Sequence, residues 1–131
     1  MEYDLDTLEQ YAVELGFTAS RRSADELVVA VGGANLVFSN RADHGHDGIV
    51  YFEGTCWHEH GRFFLPIGSS GECLECDEFD VVRGLRSGDI LILEQFENDR
   101  FIDRWLVHRS EKRDFLYMQP GEETRIRRLS E

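Results

Sequence analysis

The sequence predicts an α+β fold, a single domain over residues 1–131 in which two helices pack on one face of antiparallel sheet. A chain of 131 residues with 41% hydrophobic residues suits one compact domain with its own core. Two segments show the apolar spacing of a helix, whereas most others are short runs rich in β-branched and aromatic residues. The links between successive runs suit hairpins and are too short for the crossovers of a parallel sheet.

One helix and one hairpin are predicted near the start of the chain. Leucine and alanine recur at helical spacing over residues 5–15, and Gly16 is suited to end such a helix. A short strand is expected over residues 17–22. Residues 27–31 and 36–39 are then expected to pair as a hairpin through the intervening Gly-Gly-Ala-Asn turn.

Two further strands are predicted before the second helix. Residues 48–53 form a short β-branched and aromatic run that follows a polar stretch, and residues 63–67 form another. Pro66 interrupts the second run and has no N–H to donate to a neighbouring strand. We therefore expect the strand over residues 63–67 to lie at the edge of a sheet.

A helix and four strands are predicted in the rest of the chain. The helix spans residues 78–86 with Asp77 as its N-cap. Four later runs are expected to form an antiparallel meander, over residues 89–96, 101–109, 115–118 and 124–129. The second of these runs is apolar on both faces, which is typical of a central strand, so Trp105 is expected to lie in the core.

The net charge of −12 is concentrated in the middle of the chain. Residues 43–80 carry nine acidic residues and one basic residue, whereas residues 81–131 carry ten of each. Such a surface repels nucleic acid and attracts basic proteins. No apolar run approaches the length of a membrane span, and the acidic start lacks the features of a signal peptide. We therefore expect a cytoplasmic protein with reduced cysteines and no membrane partner.

The densest acidic segment directly precedes and enters the predicted second helix. Five carboxylates surround one aromatic residue, Phe79, and they belong to Glu72, Glu75, Asp77, Glu78 and Asp80. An acidic patch with an apolar anchor suits the docking of a basic protein, because charge speeds encounter and the buried aromatic supplies affinity. Acids at a helix N-terminus also stabilise the helix dipole, which is an equally good explanation for Asp77, Glu78 and Asp80.

A cluster of cysteines and histidines offers an alternative function. Two thiolates at a CxxC spacing can bind one zinc ion, and a further thiolate and an imidazole can complete a tetrahedron. The candidate ligands are Cys56, His58, His60, Cys73 and Cys76. A redox dithiol is disfavoured because the neighbouring acids raise the pKa of a thiol. The alternative prediction is therefore a zinc-binding protein or metalloenzyme built around Cys56, His58, Cys73 and Cys76.

A further pair of histidines, His44 and His46, lies in a loop with two aspartates and is a weaker metal candidate. The sequence contains no Ser-His-Asp order, no phosphate-binding glycine loop and no HExxH helix. No catalytic residue is therefore predicted, and a binding protein is favoured over an enzyme.

Two stretches of the chain also carry a resemblance. One is FEGTCWHEHG over residues 52–61, and the other is residues 84–89 continuing to FIDRWLVH over residues 101–108. They resemble small bacterial proteins that are encoded beside polymorphic toxins, many of which are immunity proteins. The resemblance implies a cognate toxin that is bound tightly in the cytoplasm and blocked at its active site. It assigns no role to any single residue, because immunity proteins share a role rather than a motif.

Overall fold

The computed structural model describes residues 2–40, 47–68, 71–111 and 121–129. The helices are α1 (Leu5–Glu14) and α2 (Glu78–Ser87). The strands are β1 (Thr18–Ser23), β2 (Glu26–Val31), β3 (Ala34–Asn40), β4 (Gly48–Phe52), β5 (His58–His60), β6 (Phe63–Ile67), β7 (Glu72–Cys76), β8 (Ile90–Glu97), β9 (Arg100–His108) and β10 (Glu122–Arg127). All pairs of described strands are antiparallel, which confirms the predicted α+β class.

Strands β1 to β5 form one sheet in chain order. The predicted hairpin is present as the pair of β2 and β3, in which Val31 lies opposite Ala34. Its turn is two residues long rather than four, because Gly32 and Gly33 have φ of 57° and 83°. Two successive residues with positive φ form the type I′ turn, whose twist matches that of the paired strands.

The second sheet has the order β10-β8-β9 among the described strands. A meander requires the last strand to pair with the strand before it in the chain, and this prediction is wrong. Strand β10 instead pairs with β8, where Ile126 lies opposite Leu93. The strand predicted over residues 115–118 lies outside the described residues. Each strand of a hairpin leaves one edge free, and here the free edge of β8 accepts a strand from much later in the chain.

A third, two-stranded sheet consists of β6 and β7. Pro66 lies opposite Cys73 in this pair, so the expectation that its strand lies at a sheet edge is confirmed. Neither β5 nor β7 was predicted. The five residues of β7 include two glutamates and two cysteines, a composition that indicates a ligand or docking segment more readily than a strand.

One hydrophobic core joins the helices and the sheets. Helix α1 packs on β1 and β2, whereas α2 contacts α1, β7 and β8. The N-terminal segment is attached to the five-stranded sheet by Asn40, which is buried. The side chain of Asn40 accepts from the backbone N–H of Tyr3 at 2.7 Å and donates to the carbonyl of Tyr3 at 2.9 Å.

A buried carboxylate connects the three strands of the second sheet. Oε2 of Glu94 on β8 accepts from Arg104 of β9 at 2.7 Å and from Arg127 of β10 at 2.9 Å. Arg127 also donates to the carbonyl of Gly32 at 2.6 Å, in the turn between β2 and β3. The same network therefore joins the second sheet to the first.

Candidate protein-binding surface

The sheet of β6 and β7 has one buried and one exposed face. Phe63, Leu65 and Cys76 point into the core. The opposite face presents Phe64 directly across from Glu75. Phe64 is 61% exposed, which is the largest exposure among the large hydrophobic side chains of the described residues. An exposed aromatic beside a carboxylate is the arrangement expected of a docking surface.

Of the two predicted contact acids of β7, Glu75 lies on this exposed face, whereas Glu72 points to the opposite side at the start of the strand. Glu72 and Glu75 are both exposed. Oε1 of Glu75 lies 3.6 Å from Nη1 of Arg62, and both side chains are about half exposed, at 52% and 57%. Water screens such a long and exposed ion pair, so Arg62 offsets the charge of Glu75 only weakly.

Asp77 and Asp80 form the N-terminal cap of α2. Oδ1 of Asp77 accepts from the backbone N–H of Asp80 at 2.8 Å, and Oδ2 of Asp80 accepts from the backbone N–H of Asp77 at 3.0 Å. Asp80 also pairs with Arg83 one turn further along the helix. These two carboxylates therefore have a structural role in starting the helix.

Glu78 and Phe79 connect the two helices. Glu78 is only 7% exposed, and its Oε2 accepts from the backbone N–H of Asp4 at 2.9 Å. Phe79 is half-buried and packs edge-to-face on Tyr11, with ring centroids 5.7 Å apart. The anchor exposed beside the acids is thus Phe64 rather than Phe79. The sequence signal that could have identified it is the alternation of side chains along a strand, which puts Phe63 and Phe64 on opposite faces.

A groove of about 370 Å³ continues from the exposed face of β6 towards β9. Its walls include Phe64 and Pro66 from β6 and Trp105 and His108 from β9. Trp105 was expected in the core, but it is only half-buried. The reason is that the outer part of β9 extends beyond the core, as the exposed Phe101 and Ile102 also show.

Two carboxylates line the same groove. They belong to Glu59 of β5 and to Glu111, which lies in the 3₁₀ turn after β9. Burial raises the pKa of Glu59 above that of an exposed glutamate, although the neighbouring His58 and His60 partly offset the effect. Burial removes part of the hydration of the Glu59 carboxylate. A cation bound beside it would therefore stabilise its charged form.

The structure separates the two cysteines of the CxxC motif. Residues three apart on a strand point to opposite faces, so Cys73 is exposed and Cys76 is buried. The two sulfur atoms of the motif therefore do not face a common site. Burial, with the nearby charges of Asp80 and Asp77, raises the pKa of Cys76 to about 12.

The other metal candidates lie beside β5. The rings of His58 and His60 are 5.1 Å apart at their centroids, and both line a concavity that Cys56 and Trp57 share. His44 and His46 lie outside the described residues. Within the described ranges, no group of three or more histidine, cysteine, aspartate or glutamate side chains is placed to hold a metal ion.

No protein-family model matches the chain, and comparisons with curated proteins and with solved structures found no match. Neither described helix is long and apolar enough to cross a membrane.

Proposed function

We propose that this protein is a cytoplasmic immunity-type inhibitor that binds a basic toxin domain and occludes its active site. The observation that carries the proposal is the position of the exposed Phe64 directly opposite Glu75 on the outer face of β6 and β7. An aromatic side chain supplies affinity when it is buried by a partner, and the adjoining carboxylates favour a basic one.

The charge distribution supports the same proposal. Residues 43–80, which include β6 and β7, hold nine acidic residues and one basic residue. Toxins that cut or modify nucleic acid have basic clefts, and an acidic surface accelerates association with such a cleft. The proposed contact residues are Phe64 and Glu75 on the exposed face, with Glu72 exposed at the start of β7. Asp77 and Asp80 lie beside Glu75 while also capping α2, whereas Glu78 and Phe79 join the two helices.

The test coexpresses this chain with the toxin domain encoded beside it and measures growth of the host cells. Wild-type protein is expected to restore growth. In binding kinetics with the purified toxin domain, Glu72→Lys combined with Glu75→Lys is expected to slow association by about tenfold or more at low salt, because steering depends on charge. Phe64→Ala is expected to accelerate dissociation, since it removes the apolar anchor.

The matched control reverses two acids away from the surface, by combining Glu9→Lys with Glu14→Lys on α1. This pair changes the net charge by the same amount. A smaller effect on the association rate would therefore show that the position of the acids matters, and not only the net charge. The proposal is contradicted if no toxin domain is encoded nearby, if growth is not restored, or if the reversal on β7 acts no more strongly than the reversal on α1.

A zinc-binding protein is the second candidate; Cys56, His58 and His60 line one concavity, although these described side chains are not placed to hold a metal ion together. Metal content separates the two functions. One equivalent of zinc in purified protein, lost in His58→Ala and retained in His108→Ala, would support the second function. Less than about one tenth of an equivalent would exclude a resident zinc site.

A further inference from the structure

The groove between β6 and β9 combines three features in one place. Trp105 and Phe64 provide aromatic surface, Pro66 provides aliphatic surface, and Glu59 and Glu111 provide carboxylates. The described residues that line the groove include no arginine or lysine. A site with aromatic walls, two acids and no arginine or lysine among its described lining residues is complementary to a cationic group.

We infer that this groove binds the side chain of one arginine of the partner protein, next to the exposed face of β6 and β7 that carries Glu75. The inference rests on the proposed function, because Phe64 belongs to both the exposed face and the groove. It adds the chemistry of the partner's anchor, which is a guanidinium carried on an aliphatic stem.

Arginine fits these walls better than lysine does. A guanidinium is planar and weakly hydrated, so it stacks on an aromatic ring and still donates to carboxylates in its own plane. Trp105 supplies the ring, and Glu59 and Glu111 supply the acceptors. The ammonium group of lysine is more strongly hydrated, so it loses more hydration free energy when it leaves water.

The electrostatic state of the groove favours a cation. Burial raises the pKa of Glu59, although His58 and His60 partly offset the effect, so a cation bound in the groove would stabilise its carboxylate form. His108 also lines the groove, and its Nδ1 lies 2.9 Å from the hydroxyl oxygen of Ser110.

The test titrates N-acetyl-arginine amide into the full-length, ¹⁵N-labelled protein and follows the indole N–H of Trp105 by NMR. Saturable shifts centred on Trp105 and on the backbone of Phe64 are expected, with a dissociation constant in the millimolar range. N-acetyl-citrulline amide has nearly the same shape and no charge, so it is expected to bind about fivefold more weakly or worse. N-acetyl-lysine amide is expected to bind more weakly than the arginine probe.

Variants locate the site. Glu59→Gln and Glu111→Gln are each expected to weaken binding of the arginine probe by about twofold to fivefold, whereas Glu72→Gln outside the groove leaves it unchanged. Undisturbed spectra of each variant show that it is folded. Equal binding of the citrulline probe, equal or tighter binding of the lysine probe, absence of saturable shifts at Trp105, or insensitivity to both groove variants would each overturn the inference.

The outcomes also distinguish this inference from the proposed function. Arginine binding in the groove without any growth protection against the toxin would retain the site and remove the immunity role. Growth protection with no arginine binding would retain the role and show that the partner docks by another part of the surface.

Discussion

The carboxylate of Glu78 accepts a hydrogen bond from the backbone N–H of Asp4 at 2.9 Å, across 74 positions of sequence. Asp4 is itself the N-cap of α1, where its side chain accepts from the backbone N–H of Thr7 at 3.2 Å. The first turn of α2 therefore fixes the start of α1. An acid that the charge pattern assigns to a partner surface instead joins the two helices.

Removal of the Glu78 carboxylate is expected to lower the stability of the protein. Glu78→Ala leaves the N–H of Asp4 without its acceptor, so the free energy of unfolding should fall by about 1–3 kcal/mol. Glu78→Gln retains an acceptor oxygen and should cost less. Glu72→Ala, at an exposed acid, should change the free energy by no more than about 0.5 kcal/mol. Urea denaturation measures all three, and similar losses for Glu78→Ala and Glu72→Ala would contradict this role.

Disruption of the Glu94 network is expected to lower the free energy of unfolding more than removal of the Glu78 carboxylate does. The side chains of Glu94 and Arg104 are 7% and 12% exposed, so Glu94→Ala leaves a nearly buried guanidinium without its partner. The expected loss is about 3–5 kcal/mol in the free energy of unfolding. Glu53→Ala removes a comparable ion pair to Arg22 at the exposed surface and should cost about 1 kcal/mol or less. Equal effects of the two substitutions on urea denaturation would refute the structural role of Glu94.

The three cysteines are expected to differ in reactivity. Cys56 and Cys73 are exposed, whereas Cys76 is buried and the pKa of its thiol is raised to about 12. Because the thiolate is the reactive form, Ellman's reagent at pH 8 should modify two thiols in the native protein and the third only after denaturation. Peptide mapping identifies the modified residues. In a Cys56→Ser, Cys73→Ser variant the native protein should not react, and rapid modification of Cys76 there would contradict its buried placement.

The stability effect of Glu59 is expected to depend on pH. Burial raises its pKa in the folded protein, so ionisation of Glu59 opposes folding above that pKa, and this cost is absent below the ordinary pKa of a glutamate. Glu59→Gln should therefore have a higher Tm than wild type at pH 7, and the difference should shrink towards about pH 4. Glu72→Gln serves as the exposed control. A lower Tm for Glu59→Gln at pH 7 would be the opposite of this expectation.

Elements set by local interactions could be predicted from the sequence. Asp77 and Gly88 limit α2 because a short acid caps the first turn and a glycine adopts φ of 87° at the end. Gly32 and Gly33 specify their hairpin for a similar reason. In the candidate site, the exposure of Glu72 and Glu75 follows the charge pattern, whereas the groove, Phe64 as anchor and the position of Trp105 required the assembled sheets.

The sequence by itself determined the α+β class, the two helices, the first hairpin and the acidic middle of the chain, because turn geometry, capping and residue alternation act over a few neighbouring residues. Only the tertiary structure decided that β10 lies beside β8, that Cys73 and Cys76 face opposite ways, and that Glu78 is buried while Trp105 is half-exposed. These outcomes depend on contacts between segments far apart in the chain, where the burial of one side chain is set by which strand or helix packs against it.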